Sequence, residues 1–149
     1  MPDKFDELEK EILETMKKVY SETVIDHAMN PQNIVQIPDP DGIGSTTSAC
    51  GEVMEVRLKA KAGKITDASF WTNGCSSTVA CGSAATELIK GWDVPRALAI
   101  SQDDILKALD GLPEGNKHCA LQAAKTVKAA AVDCIAISKE PWKKAYRKC

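Results

Sequence analysis

VMEVRLKAKAGKITDASFWT, residues 53–72, decides the fold. Met54, Val56, Leu58 and Ala60 alternate with Glu55, Arg57, Lys59 and Lys61, a period of two that predicts a strand with one apolar and one wet face. Ala62–Gly63 supplies a turn, and Ile65 to Thr72 reads as the returning strand, broken by Asn73–Gly74. The chain on both sides is helical in pattern. Upstream, Phe5, Leu8, Ile12, Met16 and Val19 recur at three- and four-residue steps, predicting a helix over 4–19. A short helix runs from about Ser21 to Met29, closed by Asn30–Pro31. Residues 31–48, rich in Pro, Gly, Asp and Ser, read as loop or an irregular edge strand.

Downstream, small residues predict a helix from about Ser76 to Lys90, stopped by Gly91. Two short helices fit Val94–Ala99 and Gln102–Leu109, with Ser101 as N-cap of the second. Gly111 to Gly115 reads as loop. The last helix covers about 117–138, with Leu121, Ala124, Val127, Ala131 and Cys134–Ile135 as its apolar stripe. Strands come before most of the helices, without βαβ alternation, so the expected class is α+β with a small antiparallel sheet.

Composition narrows the function. The chain has 149 residues, 44% of them hydrophobic, enough for a single core. Its net charge of −2 gives no basic footprint for nucleic acid. The basic cluster Lys143–Lys144 with Arg147–Lys148 reads as a solvated tail. No run of about 18 apolar residues predicts a membrane span. The first residues are charged and lack the apolar core of a secretory signal, so a cytoplasmic location is expected, where disulfides are rare.

In a reducing compartment the six cysteines, Cys50, Cys75, Cys81, Cys119, Cys134 and Cys149, are packing groups, nucleophiles or metal ligands. No CxxC pair is present, so a metal site would draw ligands from distant segments. Cys50, Cys75 and Cys119 each fall at an element end, where side chains from different elements converge on a rigid framework. Cys75 and Cys119 also lie near expected helix N-termini, whose free N–H groups and dipole favour the thiolate. Cys134 is fifteen residues beyond Cys119, roughly 22 Å along one helix, so it cannot share a site with it. It reads as a packing thiol, and Cys149 as an incidental thiol on the tail. Cys81 lies about 9 Å and about 240° around the helix from Cys75. It reads as a packing thiol, with an auxiliary role near the site as the alternative. His118 is either a soft ligand beside Cys119 or a helix-end histidine. Glu52 is either a carboxylate ligand or a strand-edge acid. Three thiolates with one replaceable ligand make an exchangeable site, and the same set would hold iron or zinc.

The segments Val19-Tyr20-Ser21-Glu22-Thr23-Val24-Ile25-Asp26-His27, Asn30-Pro31-Gln32-Asn33, Ala49-Cys50-Gly51-Glu52-Val53-Met54, Asn73-Gly74-Cys75-Ser76-Ser77 and Lys117-His118-Cys119-Ala120-Leu121 occur in this order. In them the chain resembles the IscU/NifU N-terminal domain family of iron–sulfur cluster assembly scaffolds. The resemblance implies a three-stranded antiparallel sheet packed by helices in a domain over 19–140; the helical segment 1–18 is an N-terminal extension to it and 141–149 a basic tail. It implies a scaffold rather than an enzyme, holding a transient [2Fe–2S] cluster on Cys50, Cys75 and Cys119, with His118 or Glu52 as fourth ligand and zinc as an alternative occupant. Cys119 would accept persulfide sulfur from a cysteine desulfurase. A ferredoxin-type donor would supply electrons, apo iron–sulfur proteins would receive the cluster, and Tyr20 would be a homodimer contact.

Two departures and one agreement with the IscU/NifU side refine the resemblance. Glu52 stands where the family usually has Asp. Leu112-Pro113-Glu114-Gly115-Asn116 replaces the family's Leu-Pro-Pro-Val-Lys chaperone segment, which weighs against delivery through a specialised Hsp70 chaperone. The insertion of the SufU branch is absent, and His118 stands where that branch carries Arg. The competing readings are a zinc-bound sulfur acceptor that relays persulfide sulfur without building a cluster, and a zinc-stabilised interaction module.

Overall fold

The computed structural model describes residues 4–142, apart from the side chains of Phe5, Leu13 and Met16. The expected basic cluster at 143–148 and Cys149 lie outside the described residues. The elements are α1 (Lys4–Val19), α2 (Glu22–Met29), β1 (Gly42–Thr47), β2 (Val53–Lys61), β3 (Lys64–Thr72), α3 (Ser76–Ile89), α4 (Val94–Ala97), α5 (Gln102–Ala108), a single 3-10 turn at Glu114–Asn116, and α6 (Lys117–Lys139). None of the described helices is long and apolar enough to cross a membrane.

The alternation in 53–61 forms β2, the central strand of an antiparallel sheet in the order β1-β2-β3. Met54, Val56 and Leu58 are fully buried on one face, where Ile65, Ala68 and Phe70 of β3 join them. Each large apolar side chain buried there contributes about 1.5–3 kcal/mol relative to exposure. The opposite face carries the Arg57–Glu55 ion pair, 2.6 Å. An irregular strap runs beside β3. Phe70 donates its N–H to the carbonyl of Asn33 at 2.9 Å, and Ile37 donates its N–H to Ser69 Oγ at 3.1 Å. Under that strap Ser69 is a buried polar residue between the buried Ala68 and Phe70.

The segment expected as loop or irregular edge strand holds a regular one. Gly42 to Thr47 pair residue for residue with Leu58 to Val53. Its hydrophobic pattern is faint because the two residues on its buried face are Gly42 and Gly44. The backbone of α6 fills the space their side chains would occupy. A Cβ on Gly44 would collide with backbone atoms of Thr126, Ala129 and Ala130, and one on Gly42 with Ala130 and Cys134.

α6 and α3 pack on the apolar face; the buried residues of α6 are most often Ala, and those of α3 mostly Ala, Ser and Thr. The stripe expected for α6 needs one correction. Ala120, Ala123, Ala124, Val127, Ala130, Ala131 and Cys134 are buried, but Leu121 is 40% exposed. At 100° per residue Leu121 lies about 120° around the helix from Val127, beyond the buried arc. Cys134 is a packing thiol, as its place on the stripe predicts. Ser101 caps α5 through a reciprocal box with Asp104, and Ser21 caps α2 by accepting from the Val24 N–H. On α1, Leu8, Ile12 and Val19 are exposed rather than packed on the domain.

The contact of α6 with β1 generates a prediction. Gly44→Ala forces two backbones apart and lowers unfolding free energy by about 1–3 kcal/mol or more, read as a lower urea midpoint. Ser45→Ala, one residue along on the exposed face, stays within about 0.5 kcal/mol.

Candidate metal centre

One end of the sheet gathers the residues that carry chemistry. The β1–β2 connection, residues 48–52, holds Cys50 and Glu52. The exit of β3 holds Cys75, and the first turn of α6 holds Cys119. Hydrogen bonds fix each segment. Gly51 takes a positive φ of 85°, which glycine adopts without strain, and its N–H donates to the Ser48 carbonyl at 3.0 Å. Ser48 Oγ accepts from the Glu52 N–H at 3.1 Å, and the Glu52 carbonyl accepts from Gln122 Nε2 at 3.0 Å. Thr72 Oγ1 donates to the Val53 carbonyl at 2.6 Å, while Asn73 Oδ1 accepts from the Val53 N–H at 2.8 Å. The β3 exit is thereby locked to the start of β2, and Cys75 follows as the N-cap of α3.

Glu52, Cys75 and Cys119 converge, with one ligand atom from each lying within 4.8 Å of the others. A tetrahedral ion bound to sulfur at about 2.3 Å spaces its ligands about 3.8 Å apart, so small side-chain movements suffice to close these three on a zinc- or iron-sized ion. Two thiolates and a carboxylate suit either metal. Cys50 stands outside this group, exposed on the 48–51 turn. It lines a neighbouring cleft of about 400 Å³ with His118, Leu121, Gln122 and Lys125. His118 is exposed, its Nε2 3.6 Å from Cys119 Sγ, between the converged group and that cleft. Tyr20 is half-buried, and its hydroxyl accepts from Asn116 Nδ2 at 2.9 Å and faces Ser77 Oγ at 3.4 Å, so it joins the starts of α2, α3 and α6.

The thiols differ electrostatically. Partial burial opposes ionisation of Cys75, but the Thr78 hydroxyl and the N–H groups of Thr78 and Ser77 outweigh it and hold its pKa below the usual thiol value. Burial pushes Cys119 up, with the Cys75 and Glu52 charges adding to it against the Thr78 hydroxyl. Burial likewise pushes Cys81 well up, with Cys119 and Cys75 adding. Cys81 is fully buried beside the site as a packing thiol.

Two site residues carry no signal of their own in the sequence. Thr78 is one turn beyond Cys75, at the third helical position, where a cap residue's partner sits. Its hydroxyl is fully buried and faces Glu52, Cys75 and Cys119 together. Gln122 is buried although it lies about 140° around α6 from Val127, off the apolar stripe, and it clamps the Glu52 backbone. Only the Cys-x-x-Thr spacing hinted at the first; the second lies off the stripe, where a polar residue reads as solvated.

Fold and site together define a class: a small α+β domain that gathers two thiols and a carboxylate from three separate segments into one candidate metal-binding group. The chain belongs to the NifU-like N-terminal domain family, which matches residues 19–140. Over 116 residues it is 40% identical to the iron-sulfur cluster assembly scaffold protein IscU 1 of Archaeoglobus fulgidus, covering 77% of this chain and 76% of that protein. Over 119 residues it is 41% identical to the scaffold protein IscU of Escherichia coli K12, covering 76% of this chain and 92% of that protein. The fold matches the crystal structure of a putative SUF-system scaffold from Fervidobacterium islandicum at a TM-score of 0.65 and 17% identity, over 76% of this chain and 97% of that one.

The electrostatics predict an order of reaction. With iodoacetamide, metal-free reduced protein is alkylated at Cys75 well before Cys119 or Cys81, as followed by peptide mass spectrometry. A lowered pKa keeps the Cys75 thiolate populated until pH falls through that lower value, whereas the Cys119 rate rises only at pH above the usual thiol range. Equal rates at all three would contradict the burial pattern.

Proposed function

We propose that this chain is a scaffold on which [2Fe–2S] clusters are assembled and from which they are passed on. The observation that carries the reading is the convergence of Glu52, Cys75 and Cys119 within 4.8 Å at one end of the sheet, in a chain about 40% identical to proteins named as iron-sulfur cluster assembly scaffolds. Cys50 completes three thiolate ligands when the short 48–51 turn swings its exposed side chain toward the group. Glu52 or His118 is the replaceable fourth ligand. Oxygen and imidazole donors bind less tenaciously to a cluster than a fourth thiolate does, which suits a cargo that must leave.

Sulfur arrives as a persulfide on a cysteine desulfurase. The Cys119 thiolate attacks the outer sulfur, the S–S bond breaks, and the desulfurase thiolate leaves. Burial disfavours that thiolate in the metal-free protein, and coordination of a cation reverses this by deprotonating the thiol outright. Metal entry before sulfur is therefore the favoured order. Reduction of each transferred sulfur to sulfide takes two electrons, drawn from ferrous iron and a ferredoxin-type donor. Apo iron–sulfur proteins receive the product. A cytoplasmic setting keeps the thiols reduced, and Tyr20 offers a homodimer contact at the rim of the site.

Anaerobic reconstitution with ferrous iron, cysteine and a desulfurase tests the reading. A visible charge-transfer spectrum develops in the native chain, is lost in Cys50→Ala, Cys75→Ala and Cys119→Ala, and survives in Cys134→Ala. Sulfur transfer with zinc bound and no chromophore would instead establish a sulfur relay.

A further inference from the structure

The Thr78 hydroxyl has one proton and three acceptors around it. Glu52 Oε2 is at 2.9 Å, Cys119 Sγ at 3.4 Å and Cys75 Sγ at 3.6 Å. A hydroxyl donates one hydrogen bond at a time, and the carboxylate is both the closest and the strongest acceptor. The side chain has no room to swing elsewhere. Thr78 is fully buried, and a Cβ on Gly74 would come within 2.8 Å of its Cβ and Cγ2, so the β3 exit packs directly on it. A β-branched residue in a helix has few χ1 choices in any case.

We propose that Thr78 is a positioning residue for metal capture: its hydroxyl fixes the Glu52 carboxylate beside the two thiols by holding Oε2, which leaves Oε1 to meet the ion. Glu52 needs such a tether more than a shorter acid would, because its extra methylene adds a rotatable bond whose freedom must be given up on binding. Carboxylate ligands are generally held this way by an outer hydrogen bond, and loss of that bond typically weakens metal binding roughly 10- to 100-fold. The proposal rests on the reading of Glu52, Cys75 and Cys119 as a metal-binding group.

Cobalt(II) titration of the purified, reduced full chain, with a competing chelator and without iron or sulfur, separates the two. Native protein develops sulfur-to-cobalt charge-transfer bands, and their absence would overturn the underlying metal-group reading. Thr78→Val has the same shape without the hydroxyl. It retains the charge-transfer bands, since both thiols remain, but binds cobalt roughly 10- to 100-fold more weakly. Thr78→Ser, which keeps the donor, stays within about threefold of native. The two losses are not additive: in a Glu52→Ala background, Thr78→Val changes the affinity no further. Full affinity in Thr78→Val, or additive losses in the double variant, would overturn the inference while leaving the metal group intact. Urea unfolding of each variant checks the fold, and a weakened Thr78→Ser with native stability also counts against a role for the hydroxyl.

Discussion

Backbone meets backbone where α6 lies across β1, and the remaining architecture follows from that approach. Gly42 and Gly44 present no side chains on the buried face of the edge strand, so residues 126–134 of the helix settle directly on it. Alanine and threonine on the helix match this closeness. The axis of α6 is thereby fixed relative to the sheet, and with it the depth of Cys119 in the first turn. Gln122, one turn later, reaches the Glu52 carbonyl from the same helix. One packing contact thus sets the height of one thiol and the placement of the carboxylate-bearing turn.

The third member of the group arrives independently. Asn73 and Thr72 tie the end of β3 to the start of β2, and Gly74 lets the chain turn tightly against Thr78 before α3 begins. Cys75 then occupies the N-cap, where N–H groups favour its thiolate. The three ligands are consequently held by three separate devices: a helix seated on glycines, a hydrogen-bonded turn, and a helix cap. Cys50, on the exposed turn, adds a further thiol beside this group.

The site balances charge against burial. Cys119 is enclosed and disfavours ionisation, Cys75 is more open and favours it, and Glu52 adds negative charge that raises the cost of both thiolates. A cation relieves all of these at once.

Period and punctuation alone determined much of this protein. The alternation of 53–61 with the turn at Ala62–Gly63 gave a hairpin, the three-residue steps of the helices gave their extents, and the positions of Cys50, Cys75 and Cys119 at element ends marked them out from Cys134. Those are local properties, visible because side-chain direction follows the backbone period. Strand β1 was faint because its buried residues are glycines, whose role is defined by the helix that replaces their side chains. The exposure of Leu121 depended on how far α6 is rotated against the sheet. That Glu52, rather than Cys50, closes with Cys75 and Cys119, and that a buried Thr78 hydroxyl stands among them, was decided by tertiary structure. Contacts between residues 26 and 41 positions apart depend on how the elements pack, which no local pattern specifies.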